Sequence, residues 1–397
     1  MGEPTINIAR MQEYKSKTSA THVAGVGSLL RANKVEVING KAKLLPSKQV
    51  EVETSAGQKM TLQAQKIIIA TGAKPIRLPI PGADSPNGVF DAGLILNVTS
   101  PPKSLLMIGG GVIGLEMTIV LTRLGCKVTV VEMLPHILPL EDAEIVAVVH
   151  KALQDEGVQI YTNAKVTKIE DVPGGKACTV VAADGEKKIE AEQVAIAVGY
   201  RPNTDGMGFE EAGIAMVKGR IQTNEKMETS VPGIYAAGDC VGKIMLAYIA
   251  MTEGEVAAEN AMGKNKLMSY AAVPRCVYTQ PEVGAVGLTE EDAIKKGYQI
   301  KVGRYPFMAN AMATILGERK GLVKMIVDAK YGQFLGVHIV GPHATELIAE
   351  ATLAMKMDFS PTEILATIHS HPSLAEAVKE AALDITGETI HMPPKKR

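Results

Sequence analysis

The residues of this chain best suited to chemistry lie near its end, in the segment HSHPSLAEA at 369–377. His371 carries an imidazole that can change charge near neutral pH, and Glu376 follows five positions on. A helix beginning near Pro372 would aim that carboxylate back at the ring, which is the arrangement of an oriented general base. Spacing alone leaves a structural histidine as the alternative for His371, and more so for His369. A second group of residues is GGGVIG at 109–114 together with Glu132. In a dinucleotide fold Gly109 permits the tight turn, Gly111 lets backbone N–H groups approach a pyrophosphate, and Gly114 allows a helix to pack closely on a strand. Glu132, 18 residues after Gly114, would accept hydrogen bonds from ribose hydroxyls and repel a 2′-phosphate, which favours NAD over NADP. The third is AAGD at 236–239. Asp239, at the end of a buried strand, could hold a polyol such as the ribityl chain of a flavin, or could simply cap a helix; spacing does not decide. Cys126, Cys178, Cys240 and Cys276 are 52, 62 and 36 residues apart, so they form no local redox or metal motif and read as small buried hydrophobes. No metal site is expected.

The elements that must position these groups can be read from periodicity. SLLMI (104–108), the glycine turn, a helix LEMTIVLTRLG (115–125) and KVTVV (127–131) form a βαβ unit. Residues 142–157 read as a helix with Asp142 as N-cap, followed by a meander of strands through VTKIED, CTVVAA and KKIEA to VAIAVG (194–199). Before the βαβ unit, VEVING (35–40), KQVEVET (48–54) and MTLQAQK (60–66) alternate as half-exposed strands, and IIIATGAKP (67–75) is a buried strand entering a turn. After it, VPGIYAAGDCVG (231–242) repeats that pattern and leads into a helix of small residues. Beyond Ser269, strands CVYTQPEVGAVG, GLVKMIVD and LGVHIVG with two helices describe an α+β domain.

Length and charge bound the rest. The 397 residues suggest two to three domains, and 42 Lys and Arg against 43 Asp and Glu leave a net charge of -1. No electrostatic surplus draws such a chain to nucleic acid or to an anionic membrane. No long uncharged apolar run and no signal-peptide core is present, so a soluble intracellular protein is expected.

These landmarks together carry a resemblance. ATG (70–72), GGGVIGLE (109–116), AVGYRPNT (197–204), AAGD, MLAY (245–248), YTQPEVGAVG (278–287) and HSHPSLAEA resemble, in order and spacing along nearly the whole chain, the flavoprotein pyridine nucleotide-disulfide oxidoreductases. The H-x-H-P form, PFMAN (306–310) and the NAD-type Glu132 are closer to the dihydrolipoamide dehydrogenase branch than to glutathione or mercuric reductases. The resemblance implies an α/β chain: a Rossmann-like NAD domain (104–229) inserted in an incomplete FAD domain (1–103 and 230–267), plus an α+β dimerisation domain (268–397). It implies that dihydrolipoamide reduces an active-site disulfide, that electrons pass to FAD, and that NAD is reduced. His371 would take the dithiol proton, oriented by Glu376 and donated across an obligatory homodimer. Gly109, Gly110, Gly111, Val112, Ile113, Gly114, Leu115, Glu116, Glu132, Val166 and Gly199 match NAD-contacting positions. Thr71, Gly72, Ala73, Asp239, Met245, Leu246, Ala247 and Tyr248 match FAD-contacting ones, with Ala42 at a position that touches FAD through its backbone. The implied partners are the lipoyl domains of 2-oxo acid dehydrogenase or glycine cleavage complexes. The implied compartment is the mitochondrial matrix in a eukaryote or the cytoplasm in a bacterium.

The sequence departs from the family where the dithiol chemistry sits. The flavin-binding G-x-G-x-x-G unit and the C-x-x-x-x-C pair that open family members are not among the 397 residues. Tyr248 stands where the family usually has His, and Met312 where it often has Arg. An incomplete flavin domain is expected to expose sheet edge and apolar surface, and so to associate. The alternatives are an NADH-dependent diaphorase-like flavoprotein without a disulfide, or a non-catalytic dimerisation module.

Overall fold

The computed structural model describes residues 5–393. They divide into two compact units, the first running to Ile76 and resuming over Gly199–Ser269, the second comprising Arg77–Val198 and the chain from Tyr270 onward.

The first unit opens with the helix Ile8–Ala32, started by Asn7, whose side chain accepts from the Arg10 N–H. Sequence periodicity gives no sign of this helix, because its apolar residues are sparse and it buries none of them; Val23, Val26 and Leu29 are exposed. The antiparallel strands Gly40–Leu45, Gln49–Thr54 and Lys59–Gln63 follow. The strand expected at 35–40 begins only at Gly40, which pairs with Thr54, the last residue of its neighbour. Residues 35–39 overrun that neighbour and have no ladder to join. Ile67–Ile69 pairs in parallel with Ile234–Ala236, in a sheet of two strands with Ile68 41% exposed. Ala73–Pro75 pairs with Tyr200–Pro202.

In the second unit a parallel sheet runs in the order Val89–Asp91, Gln193–Ile196, Ser104–Ile108, Lys127–Val131, Gln159–Tyr161. Its buried strands are continuous apolar runs, as parallel strands covered on both faces must be. The helices Val112–Arg123 and Ala143–Asp155 carry the crossovers, and a meander of Lys165–Val172, Gly175–Ala182 and Gly185–Ala191 lies beyond. The first helix starts at Val112, three residues before the expected Leu115, since Gly111 already takes the N-cap conformation. An antiparallel sheet follows in the order Pro274–Val277, Glu282–Gly287, Phe334–Gly341, Leu322–Asp328, Ile300–Pro306, with the helices Ala344–Lys356, Pro361–Ala366 and Glu376–Thr386. Val277, Val283 and Val340 of this sheet join the core built on Leu105, Met107, Leu115 and Val130.

The pairings place two segments differently from the domain limits read in the sequence. Residues 77–103 lie with the parallel sheet through Val89–Asp91, and residues 199–229 lie with the first unit through Tyr200–Pro202. Strand pairing is nonlocal, so neither assignment is visible in local periodicity.

Candidate active site

Helix Glu376–Thr386 buries Ala377, Val378, Ala381 and Ala382 and lies on the strand Ile300–Pro306. The approach is so close that a Cβ at Gly303 would sit 2.1 Å from the Ala381 carbonyl oxygen, so only glycine fits there. This seating fixes Glu376 in the first turn. Its carboxylate meets His371 Nδ1 at 2.9 Å through Oε1, and accepts from the Ser373 N–H at 2.9 Å through Oε2. The His371 side chain is 70% exposed, which leaves Nε2 free to face a substrate. The loop between is anchored from behind by Asn310, whose Nδ2 donates to the Ser373 carbonyl and whose Oδ1 caps the helix Ala311–Leu316. Burial pushes the Glu376 carboxyl up, but the hydrogen bonds from His371 and Ser373 and the charges of His371 and His391 outweigh it and hold the group below the ordinary carboxylate value. The structure therefore joins the expected His–Glu pair. Both ring nitrogens of His369 are engaged: the buried ring meets Glu350 Oε1 through Nε2 at 3.0 Å and the Thr367 carbonyl through Nδ1.

The glycine turn after Ser104–Ile108 is built as the spacing requires. Gly109 has φ +109°, and its N–H donates to the Val131 carbonyl. A Cβ on Gly114 would lie 2.2 Å from the Gly109 carbonyl oxygen, whereas one on Gly111 would meet nothing within 4 Å. Gly111 is thus not demanded by the protein's own packing. It opens space before an uncapped helix N-terminus, which suits the pyrophosphate of NAD. Val112 and Ile113 are exposed beside it, while Gly114 and Leu115 are buried. Glu132 does more than await a ribose: Oε2 accepts from the Gly110 N–H at 2.7 Å and Oε1 from the Leu134 N–H at 2.8 Å, so the carboxylate also shapes the turn. Glu116 accepts from the Tyr278 N–H, and burial raises its pKa against that bond. Val166 is buried on the strand Lys165–Val172, paired opposite Val180. Gly199 belongs to the first unit, where its carbonyl accepts from the Ile76 N–H.

In the first unit the two turns that follow the parallel strand pair lie side by side. The Ala237 N–H donates to the Ile69 carbonyl, and Asn203 clamps the neighbouring turn, its Nδ2 donating to the Thr71 carbonyl and its N–H to the Gly72 carbonyl. The Gly238 N–H donates to Oε2 of Glu253, which is 1% exposed. Local spacing does not mark Asn203 or Glu253 as supports of these turns, because each reaches them from a different element. The Thr71 hydroxyl is buried without a hydrogen-bond partner, and Gly72, at φ +70°, faces open space. Such an orphaned hydroxyl beside an open cradle fits a cofactor with polar edges such as FAD. Asp239 is half-buried on a 3₁₀ turn, Ala73 lies just past the cradle, and Met245 and Leu246 lead into the helix Ala247–Ala261, whose N-terminus has no side-chain cap and exposes Ala247 and Tyr248. Ala42 is exposed on the strand Gly40–Leu45 opposite Val52, outside this hydrogen-bonded pair of turns.

Burial pushes Cys126 and Cys178 up to about 11 and raises Cys240 and Cys276 as well.

The family model of pyridine nucleotide-disulphide oxidoreductases matches residues 4–254, and that of their dimerisation domain matches residues 273–382. The chain belongs to this family. A dihydrolipoyl dehydrogenase of Thermus scotoductus is 42% identical over 98% of this chain and 84% of its own length. One from Bacillus subtilis is 37% identical with the same coverage, and a mitochondrial one from Dictyostelium discoideum is 38% identical over 98% of this chain and 80% of its own. Among solved structures, LpdA of Mycobacterium tuberculosis superposes with a TM-score of 0.88 at 28% identity, covering 96% of this chain and 84% of that one. The HOCl-induced flavoprotein disulfide reductase RclA of Escherichia coli gives 0.85 at 27% identity, covering 95% and 85%. The chain is an NAD-dependent flavoprotein oxidoreductase that uses FAD and NAD, and its dimerisation domain supports a homodimer. Among the described residues, no helix is long and apolar enough to cross a membrane.

Proposed function

We propose that the protein is a dihydrolipoyl dehydrogenase in which His371 is the base that accepts the dithiol proton at Nε2. The observation that carries this is the 2.9 Å contact of Glu376 with Nδ1 of an imidazole whose other edge is exposed. Glu376 holds the tautomer with the proton on Nδ1 and stabilises the imidazolium once Nε2 has taken its proton. The Gly109–Gly111 turn and the N-terminus of Val112–Arg123 would hold the NAD pyrophosphate, with Glu132 at the ribose. Thr71, Gly72, Asp239 and the segment Met245–Tyr248 would hold FAD. When bound, FAD carries the electron pair between dithiol and nicotinamide. Homodimerisation would bring His371 to the partner's dithiol site. Lipoyl domains of 2-oxo acid dehydrogenase or glycine cleavage complexes would deliver the substrate, in the mitochondrial matrix or the bacterial cytoplasm.

A second reading is an NADH-dependent diaphorase that reduces dyes through flavin without a disulfide, which the glycine turn at 109–111 and the open cradle at Gly72 would serve without His371. One experiment separates the two. With the family's redox-disulfide segment joined ahead of Met1, the protein should oxidise dihydrolipoamide, and His371→Gln should lower that rate by about 100-fold or more while NADH-to-dye transfer stays within twofold, about the normal spread for an untouched step. Equal loss of both rates would remove His371 from the dithiol step. Dye reduction with no lipoamide activity in either variant would favour the diaphorase.

A further inference from the structure

The same helix that carries Glu376 carries a second, buried carboxylate one turn on, Glu380. Glu380 is 5% exposed. Its hydrogen bonds come from a segment close to the chain's end: Oε1 meets His391 Nδ1 at 2.8 Å, and Oε2 accepts from the N–H groups of Ile390 and His391 at 3.2 and 3.4 Å. Met392, next along, packs against the apolar core of the dimerisation sheet. A buried carboxylate is costly unless paired, so Glu380 ties residues 390–392 down rather than leaving them to run free.

We propose that Glu380 and His391 form a latch that closes the C-terminal segment over the helix Glu376–Thr386, and that both act as positioning residues for the His371–Glu376 base. This rests on the reading of His371 as that base. Glu376 and Glu380 stand at i and i+4 and so on one helix face, roughly 5–6 Å apart at their Cβ atoms. The charge of His391 reaches Glu376 as well as its own partner. Two His–Glu pairs are thus stacked along one turn: the inner one, by Glu380, neutralises a carboxylate that would otherwise bear on the outer one.

Few other groups compete for this control. On the strand Ile300–Pro306 beneath the helix, Lys301 points to solvent and Arg304 is held by Glu144 and Glu290. Tyr305 feels both Glu380 and Glu376, but its hydroxyl donates to the Ala309 carbonyl, and burial together with these two carboxylates keeps it neutral with a pKa pushed up to about 12. On the neighbouring strand Leu322–Asp328, Lys324 is engaged by Asp142 and Glu290, and Asp328 binds the N–H groups of Lys330 and Tyr331. On the helix Pro361–Ala366, Glu363 is turned back onto Ser360. Lys379 donates to the Thr367 carbonyl on the outer side, and Asp384 accepts from the Arg304 N–H.

His391→Ala leaves the buried Glu380 carboxylate without its imidazole partner, which favours the protonated form of His371. The His371 imidazole in the dimeric protein, followed by NMR and assigned by its loss in His371→Gln, should then titrate about half a pH unit higher. Glu380→Gln combined with His391→Ala removes both charges while the amide can still accept the Ile390 N–H, and it should bring the midpoint back to that of the parent. An unchanged midpoint in His391→Ala, or a double variant displaced as far as the single one, overturns the latch. In the form carrying the redox disulfide, the acid limb of kcat/KM for dihydrolipoamide should move with the midpoint, a roughly threefold loss on the acid side. If the imidazole shifts and the limb does not, the latch stands and the assignment of His371 as the base fails.

Discussion

At the scale of single residues, the imidazoles of this chain divide by environment rather than by type. His371 and His391 keep an exposed edge and a carboxylate partner. His338 is wholly buried in the strand Phe334–Gly341, with Nε2 at 2.8 Å from the Leu288 carbonyl and Nδ1 buried without a partner. Burial pushes its pKa down from 6.5 to about 4, with Arg275 and Lys324 adding to the effect, although the Leu288 bond and Asp142 pull the other way. The folded state therefore holds fewer protons at this site than the unfolded state between pH 6.5 and 4, so stability falls as the pH is lowered through that window. The loss is about 3 kcal/mol by the lower end. His338→Gln should flatten the dependence of melting temperature on pH across this window; an unaltered slope would place the acid sensitivity elsewhere.

At the scale of elements, a cluster of charges ties the helix Ala143–Asp155 to the antiparallel sheet. Asp142 caps that helix through the Glu144 N–H, accepts from the Glu290 N–H, and takes the Lys324 ammonium at 2.8 Å. Lys324 also contacts Glu144 and Glu290, which share Arg304. Burial opposes both charges, yet the contacts prevail: Asp142 lies below the usual carboxylate value and Lys324 above the usual amine value. Removing one partner of such a buried set strands the other. Lys324→Met should cost about 3–5 kcal/mol in urea unfolding, and Asp142→Asn in the same chain should recover much of that, because the asparagine still caps the helix. A double variant no more stable than Lys324→Met alone would deny the coupling.

For the whole molecule, exposed apolar side chains are spread along the chain, and one of them stands beside the candidate base. Ile368 is 94% exposed immediately before the HSHP segment. In a twofold dimer every interface residue enters twice, so a charge placed in the interface is desolvated in both copies. Ile368→Glu should shift sedimentation at micromolar concentration from a dimer to the 42.1 kDa chain while NADH binding persists. A stable dimer in this variant would place the interface away from the loop. The helix Ile8–Ala32 and the strand Ile67–Ile69 offer further uncovered apolar surface, at Val23, Leu29 and Ile68.

The amino-acid sequence by itself determined what short range governs. The βαβ unit shows because a short continuous apolar run gives way to a glycine turn, a helix-length segment and a second short strand. The His371–Glu376 pair shows because five residues of loop and helix start bring one side chain to the other. Asp142 was readable as a cap for the same reason. What only the tertiary structure decided depends on partners far apart in the chain: Glu253 beneath Gly238, Asn203 on the turn at Thr71, Asn310 behind Ser373, and Lys324 upon Asp142, 182 residues away. The allotment of 77–103 and 199–229 to opposite units belongs here too, since strands pair through backbone groups that every residue has. A local pattern fixes which face of an element is apolar; it does not name the element that covers that face, because burial rewards contact without regard to sequence distance.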